Sequence, residues 1–180
     1  MLTDELFPEA PGVEVDAESR TIKGIAVPWD VEGSPAGSGG RPVVFDRESL
    51  TKSLQERGHR VRLCLDHDRS KPVGKLTEWS SQPEGLLTVW KIASTPAGDV
   101  ALTEAAEGVR DGLSVGVDVI RTSARRDVLE VLEARVTEVS LVSFPAFDTA
   151  RVLDVAASES IPGRDPRNLR LRLLLAGANQ

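Results

Sequence analysis

A strand-rich α+β fold, in which seven or so strands form a barrel or sandwich with two or three helices packed outside, is predicted by two observations. Short β-branched or alternating runs recur between clusters of Gly, Pro, Ser and Asp, and only two or three segments combine helical spacing with a recognisable start signal. The chain has 180 residues, 40% of them hydrophobic, enough for one sizeable core and too few for two ordinary domains. We divide it into an arm over residues 1–15, a single domain over 16–155, and a linker with a basic, leucine-rich helix over 156–180.

Pro8 and Pro11 mark the arm. Thr21 to Trp29 has the β-branched content of a strand and ends near Pro28. Gly33 to Gly40 is rich in Gly and Ser and reads as a mobile surface loop. After the short strand Val43–Phe45, Asp46 caps an expected helix over 47–57 with Leu50 and Leu54 on its inner face. From Arg60 to Asp66 the residues alternate: Val61, Leu63 and Leu65 point one way, Arg62, Cys64 and Asp66 the other, and His67 continues the apolar row. A turn at Lys71–Gly74 then leads to a hairpin of strands over 74–79 and 85–93. Thr95 with Pro96 starts a helix that runs to about Arg110 and ends at Gly112. Strands follow over 113–120, 128–133 and 135–144, with a charged turn at 123–127 and Pro145 as the stop. Asp148 begins a short helix, and Asp165-Pro166 caps a final helix to about Ala176.

Charge and composition narrow the function. A formal net charge of -6 and a pI of about 5.1 weigh against nucleic-acid binding, which needs a surplus of Lys and Arg on the contacting face. Residues 161–180 depart from that balance: Arg164, Arg167, Arg170 and Arg172 against Asp165 give +3, so the rest carries -9. Cys64 is the only cysteine, which rules out an intrachain disulfide and a thiolate-rich metal site. No run of about 18 apolar residues is present, and Met1-Leu-Thr-Asp-Glu5 lacks the basic start of a secretory signal. A soluble protein, cytoplasmic where it is made and without membrane or nucleic-acid partners, is the expectation.

Three stretches carry chemistry. In Gly112-Leu-Ser-Val-Gly-Val117 the apolar side chains share one face, while Ser114 shares the other with Gly112 and Gly116. Two side-chain-free neighbours let a substrate backbone approach a hydroxyl closely, so both glycines are candidate substrate contacts. His67, at the end of its apolar row, suits a general base. Glu138 shares strand parity with Val136, Ser140 and Val142, and a carboxylate on such a face needs a partner. An imidazole that becomes cationic during proton transfer is one. Each residue has a bland alternative: a half-buried strand serine, a core-edge histidine bonded to a carbonyl, a strand-end glutamate in solvent. Cys64 is a rival nucleophile, but three residues from His67 in one strand it faces the opposite side about 10 Å away. Asp66-His-Asp68 cannot converge on one metal ion if its residues alternate along a strand.

Leu65-Asp-His-Asp68 with Pro72-Val-Gly74, Gly112-Leu-Ser-Val-Gly116, and Thr137-Glu-Val-Ser-Leu-Val-Ser-Phe-Pro-Ala146 resemble, in this order, the three signature blocks of the caudoviral prohead serine proteases. Gly24-Ile-Ala-Val27 and Pro42-Val-Val-Phe-Asp46 resemble the family's opening segments, and the similarity spans about residues 20–153. The resemblance implies a relative of herpesvirus assemblin, with a mainly antiparallel barrel of about seven strands surrounded by a few helices. It implies Ser114 as nucleophile, His67 as base and Glu138 as the third member, where assemblins place a second histidine. Phe144-Pro-Ala146 lacks the arginines that assemblins carry there, so no oxyanion donor is assigned. No metal or cofactor is implied. The implied substrate is major capsid or scaffold protein inside the procapsid in the host cytoplasm, with self-association and self-cleavage within 156–164 as further expectations. A catalytically silent scaffold-binding module with the same fold is the alternative.

Overall fold

In the central strand of the sheet's free end, Thr21–Pro28 (β1), the residues from Gly24 to Pro28 are all buried, because β1 has a partner on each edge and cover on both faces. The computed structural model describes residues 19–125 and 127–156. Its elements continue with β2 (Val43–Phe45), α1 (Thr51–Arg57), a 3-10 turn (Gly58–Arg60), β3 (Arg62–Leu65), β4 (Asp68–Gln82), β5 (Gly85–Ile92), α2 (Pro96–Glu107), β6 (Gly112–Arg125), β7 (Val128–Val142) and β8 (Val152–Ala156). The arm over residues 1–15, the expected helix over 166–176 and the self-cleavage segment beyond Ala156 lie outside the described residues.

The strand order is β2-β7-β3-β4-β5-β1-β8, with β6 on the other edge of β7. Five pairings are antiparallel, and β2 and β3 each run parallel to β7. Two helices and eight strands, among the described residues, make the strand-rich α+β class correct and the strand count one higher than expected. The barrel is not closed. β6 and β8 meet only at the isolated bridge Gly112–Arg151, because β8 turns to pair with β1 while β6 runs on beside β7. Trp90, Ile22, Leu63, Leu113, Leu141 and Val139 are fully buried in the single core beneath this sheet. Burying each such side chain contributes about 1.5–3 kcal/mol.

Several local expectations are corrected. Lys71–Gly74 is not a turn but part of β4, where Pro72 lies opposite Cys64 between two register shifts and so is spared a ladder hydrogen bond. Residues 128–142 form one strand rather than two, and β6 extends through most of the charged segment after Ile120. Thr95 accepts from the Gly98 N–H as expected of a cap, but α2 stops at Gly108, whose φ of 72° is the left-handed ending glycine tolerates, not at Gly112. The helix expected from Asp148 is a turn followed by β8, since the apolar residues Val152 and Val155 supply a partner for the edge of β1. Asp46 caps a turn ahead of α1, accepting from the Glu48 N–H, and α1 itself begins at Thr51 with no side-chain cap.

α1 plugs a gap in the sheet. β2 pairs with β7 at residues 129–131 and β3 pairs with it at 139–141, which leaves the stretch between without a strand on that edge. There the Ser49 carbonyl accepts from the Ala134 N–H, and Ser53 Oγ accepts from the Val136 N–H at 2.9 Å. These two N–H groups of β7 are thereby satisfied without a strand.

Candidate active site

His67 is delivered by a turn, not by a strand. Leu65 and Asp68 pair across β3 and β4, so Asp66 and His67 form a two-residue hairpin loop, with φ of 48° and 59°. Positive φ at both central positions is what a type I′ hairpin turn requires. Neither residue is glycine, so the turn is strained unless held. The Asp66 N–H donates to the Leu141 carbonyl, the His67 N–H donates to Ser140 Oγ at 3.0 Å, and Asp66 Oδ2 accepts from Arg110 Nη2 at 2.8 Å. The expectation that His67 extends an apolar strand row is therefore wrong: its side chain is 47% exposed and stands at the mouth of the site.

Glu138 reaches the same place through a β-bulge. Gly116 pairs with Glu138 and Val117 with Val136, so Thr137 is an extra residue on β7. The bulge reverses parity. Val136 and Val139 join the core, whereas Glu138 and Ser140 share the opposite face with Ser114 and Gly116, so Glu138 does not share the face of Val136 as simple alternation predicts. Glu138 is buried, and its carboxylate is fully engaged: Oε1 accepts from His67 Nδ1 at 2.7 Å, Oε2 from Ser140 Oγ at 2.7 Å.

These bonds fix the imidazole. A carboxylate only accepts, so Nδ1 carries the proton, and Nε2 of the neutral ring is left as the acceptor for Ser114 Oγ, 2.9 Å away. Ser114, His67 and Glu138 thus form one hydrogen-bonded line. Ser140, fully buried, is a fourth member that sequence reasoning missed: it accepts from the His67 backbone and donates to Glu138. Its shared parity with Glu138, two residues away, is the signal that could have found it.

Gly112 and Gly116 leave room for the protein's own groups. A Cβ on Gly112 would lie 2.7 Å from the Pro145 ring, and one on Gly116 would overlap Glu138 Oε1. Cys64 aligns with Ser140 in the β3–β7 ladder, so it borders the site and does not lie on the far side of a shared strand with His67. Burial and then Glu138 push its thiol up from the ordinary value, which disfavours the thiolate a nucleophile needs. Asp68 turns away to Ser70 and Lys71, which hold its carboxyl down to about 2, and the Asp68 carboxylate in return raises the Lys71 ammonium. Among the described residues no group of three or more His, Cys, Asp or Glu side chains is placed to hold a metal ion, and no helix is long and apolar enough to cross a membrane.

Residues 9–162 match the model of the caudovirus prohead serine protease family. The chain belongs to that family. No curated protein matches this prohead protease family member. Among solved structures it is similar to the protease of Kaposi's sarcoma-associated herpesvirus (KSHV). The KSHV protease in complex with a hexapeptide phosphonate inhibitor aligns at 12% identity and a TM-score of 0.44, over 87% of this chain and 76% of that one. The same viral protease in complex with an allosteric inhibitor aligns at 15% identity and a TM-score of 0.41, over 87% and 91%.

Proposed function

We propose that this prohead protease family member is a serine endopeptidase that cleaves capsid or scaffold protein within the procapsid, using Ser114 as nucleophile, His67 as general base and Glu138 as the group that orients the imidazole. The observation that carries the reading is the unbroken line from Ser114 Oγ through both ring nitrogens of His67 to Glu138 Oε1. As Ser114 Oγ bonds to the scissile carbonyl carbon, its proton passes to His67 Nε2, and the imidazolium is stabilised by Glu138 at Nδ1. The same proton is then given to the leaving amine as the C–N bond breaks. Water, deprotonated by His67 Nε2, then adds to the acyl carbon, and His67 returns that proton to Ser114 Oγ as the ester C–O bond breaks and the acid product leaves.

Co-expression with the neighbouring capsid and scaffold proteins, followed by mass spectrometry of the products, tests this. Cleavage is expected with the parent chain, and Ser114→Ala and His67→Ala are each expected to lower it by several orders of magnitude, roughly 10³-fold or more, while the fold is kept. A fluorophosphonate should label Ser114 and nothing else. A folded Ser114→Ala protein with full activity would remove the serine-protease reading, and an unlabelled, inactive parent would favour a silent scaffold-binding module.

A further inference from the structure

Four arginines of an acidic chain surround one cavity beside the Ser114–His67–Glu138 line. Arg57 at the end of α1, Arg60 in the 3-10 turn, Arg69 in β4 and Arg135 in β7 line a space of about 260 Å³, with Asp118 and Thr137 on its β6–β7 side. Four guanidinium groups against one carboxylate give a local +3, in a chain whose formal net charge is -6. Among the described residues Arg57, Arg60 and Arg69 enter no ion pair, and Arg135 reaches Asp118 only at 4.0 Å. Unneutralised cations held together in a recess repel one another, and an anion seated among them relieves that repulsion.

The residues that line the cavity neighbour the reactive line along the chain. Thr137 immediately precedes Glu138, and Arg69 follows His67 by two residues. Gly116 stands between Ser114 and Asp118 on β6 opposite Glu138, and a Cβ there would sit 3.0 Å from Thr137 Oγ1. Asp118 is on the face of β6 that carries Ser114, four residues on and so about 13 Å away at the rise of a strand. A polypeptide whose scissile carbonyl lies at Ser114, running extended along β6, brings its side chain about four residues from the bond over the cavity. A guanidinium fork binds a carboxylate through two parallel hydrogen bonds. The recess has room for one or two side chains, and the negative charge of the chain as a whole repels a nucleic acid.

We propose that this cavity is a specificity subsite for an Asp or Glu side chain of the substrate polypeptide, about four residues from the scissile bond. The proposal rests on the serine-protease reading above and adds the substrate chemistry that reading lacks.

The test begins with a proteome-derived peptide library, whose cleaved bonds are identified by mass spectrometry. Enrichment of Asp and Glu about three to five residues from the bond is expected. A cleaved sequence is then made twice, with the acidic residue and with its amide, and each is assayed with the parent chain and with Arg60→Gln/Arg69→Gln. The parent should prefer the acidic peptide by about tenfold in kcat/KM, chiefly through KM, and the preference should fall below about twofold in the variant. Added salt should weaken it in the parent. A library without acidic enrichment, or a preference that survives in the variant, overturns the proposal.

If a fluorophosphonate labels Ser114 but no library peptide is cut, a fluorescein-labelled hexaglutamate titrated against Ser114→Ala protein decides. Equal binding with and without the two arginine substitutions, or displacement by a single-stranded oligonucleotide at lower concentration than by unlabelled peptide, overturns it. Failure of labelling altogether removes the protease reading and the subsite with it.

Discussion

At the scale of single residues, the site depends on how a buried carboxylate is satisfied. Glu138 has two oxygens and two donors, His67 and Ser140, with no water-facing side to fall back on. Glu138→Gln keeps an acceptor for His67 Nδ1 but removes the charge that stabilises an imidazolium, so cleavage should fall by about 10²–10⁴-fold yet remain measurable. A rate equal to the parent's would require another third member. Ser140→Ala leaves the part-buried His67 N–H and the buried Glu138 Oε2 each without a partner. Denaturant unfolding should show a loss of about 1–3 kcal/mol, and kcat should drop by roughly tenfold with a displaced pH–rate profile. A purely structural serine would lower stability and leave the profile in place. Much of this was legible: the serine between glycines, the histidine and the glutamate are each visible in sequence, and strand parity gave the correct face for Ser114. Parity failed at Glu138 and His67 because one extra residue at Thr137 and a two-residue turn at Asp66–His67 each break alternation without a glycine or proline to announce it.

At the scale of elements, Arg110 ties the histidine turn to α2. Its Nη2 donates to Asp66 Oδ2 at 2.8 Å and its Nη1 pairs with Glu104 Oε2 on the last turns of α2, with the side chain only 20% exposed. The turn must hold two non-glycine residues at positive φ, and each bond to a neighbour helps to offset that cost. Arg110→Met preserves the aliphatic stem but releases both carboxylates. Because both acids have access to water, a loss of about 1 kcal/mol is expected, read as a fall of about 2–4 °C in Tm. The turn would then sample other geometries, and kcat should fall by less than about tenfold with KM nearly unchanged. An unaltered kcat would mean that Ser140 and the ladder bond to Leu141 position His67 unaided. Helix α2 itself was readable from Thr95-Pro96. Its end was misplaced because Gly108 and Gly112 carry the same sequence signal, and only the left-handed backbone at Gly108 separates them.

At the scale of the whole molecule, strands from both ends and the middle of the domain converge on Gly24. A Cβ there would lie 2.8 Å from Leu113 Cδ1 and 2.9 Å from Val152 Cα, and would collide with the Arg151 carbonyl. The Ile25 N–H donates to that same carbonyl, while the Leu113 N–H donates to Ala150 and the Val152 N–H to Asp111. This crossing brings β6 against β8 and β1, and Ser114 is the next residue along β6. No sequence pattern foretold the convergence, because it joins residues more than 80 positions apart in the chain, although Gly24 stands in a segment that is otherwise β-branched and apolar. Gly24→Ala meets backbone atoms that cannot rotate away, so β8 or β6 must shift. Overpacking of this kind costs about 1–3 kcal/mol, and for a chain of this size the fall in Tm is about 2–4 °C per kcal/mol. Since the shift is transmitted to the start of β6, fluorophosphonate labelling of Ser114 should slow together with the loss of stability. A variant with a lowered Tm but parental labelling would show that β8 yields alone and that the nucleophile is held by β7 without help from the far end of the sheet.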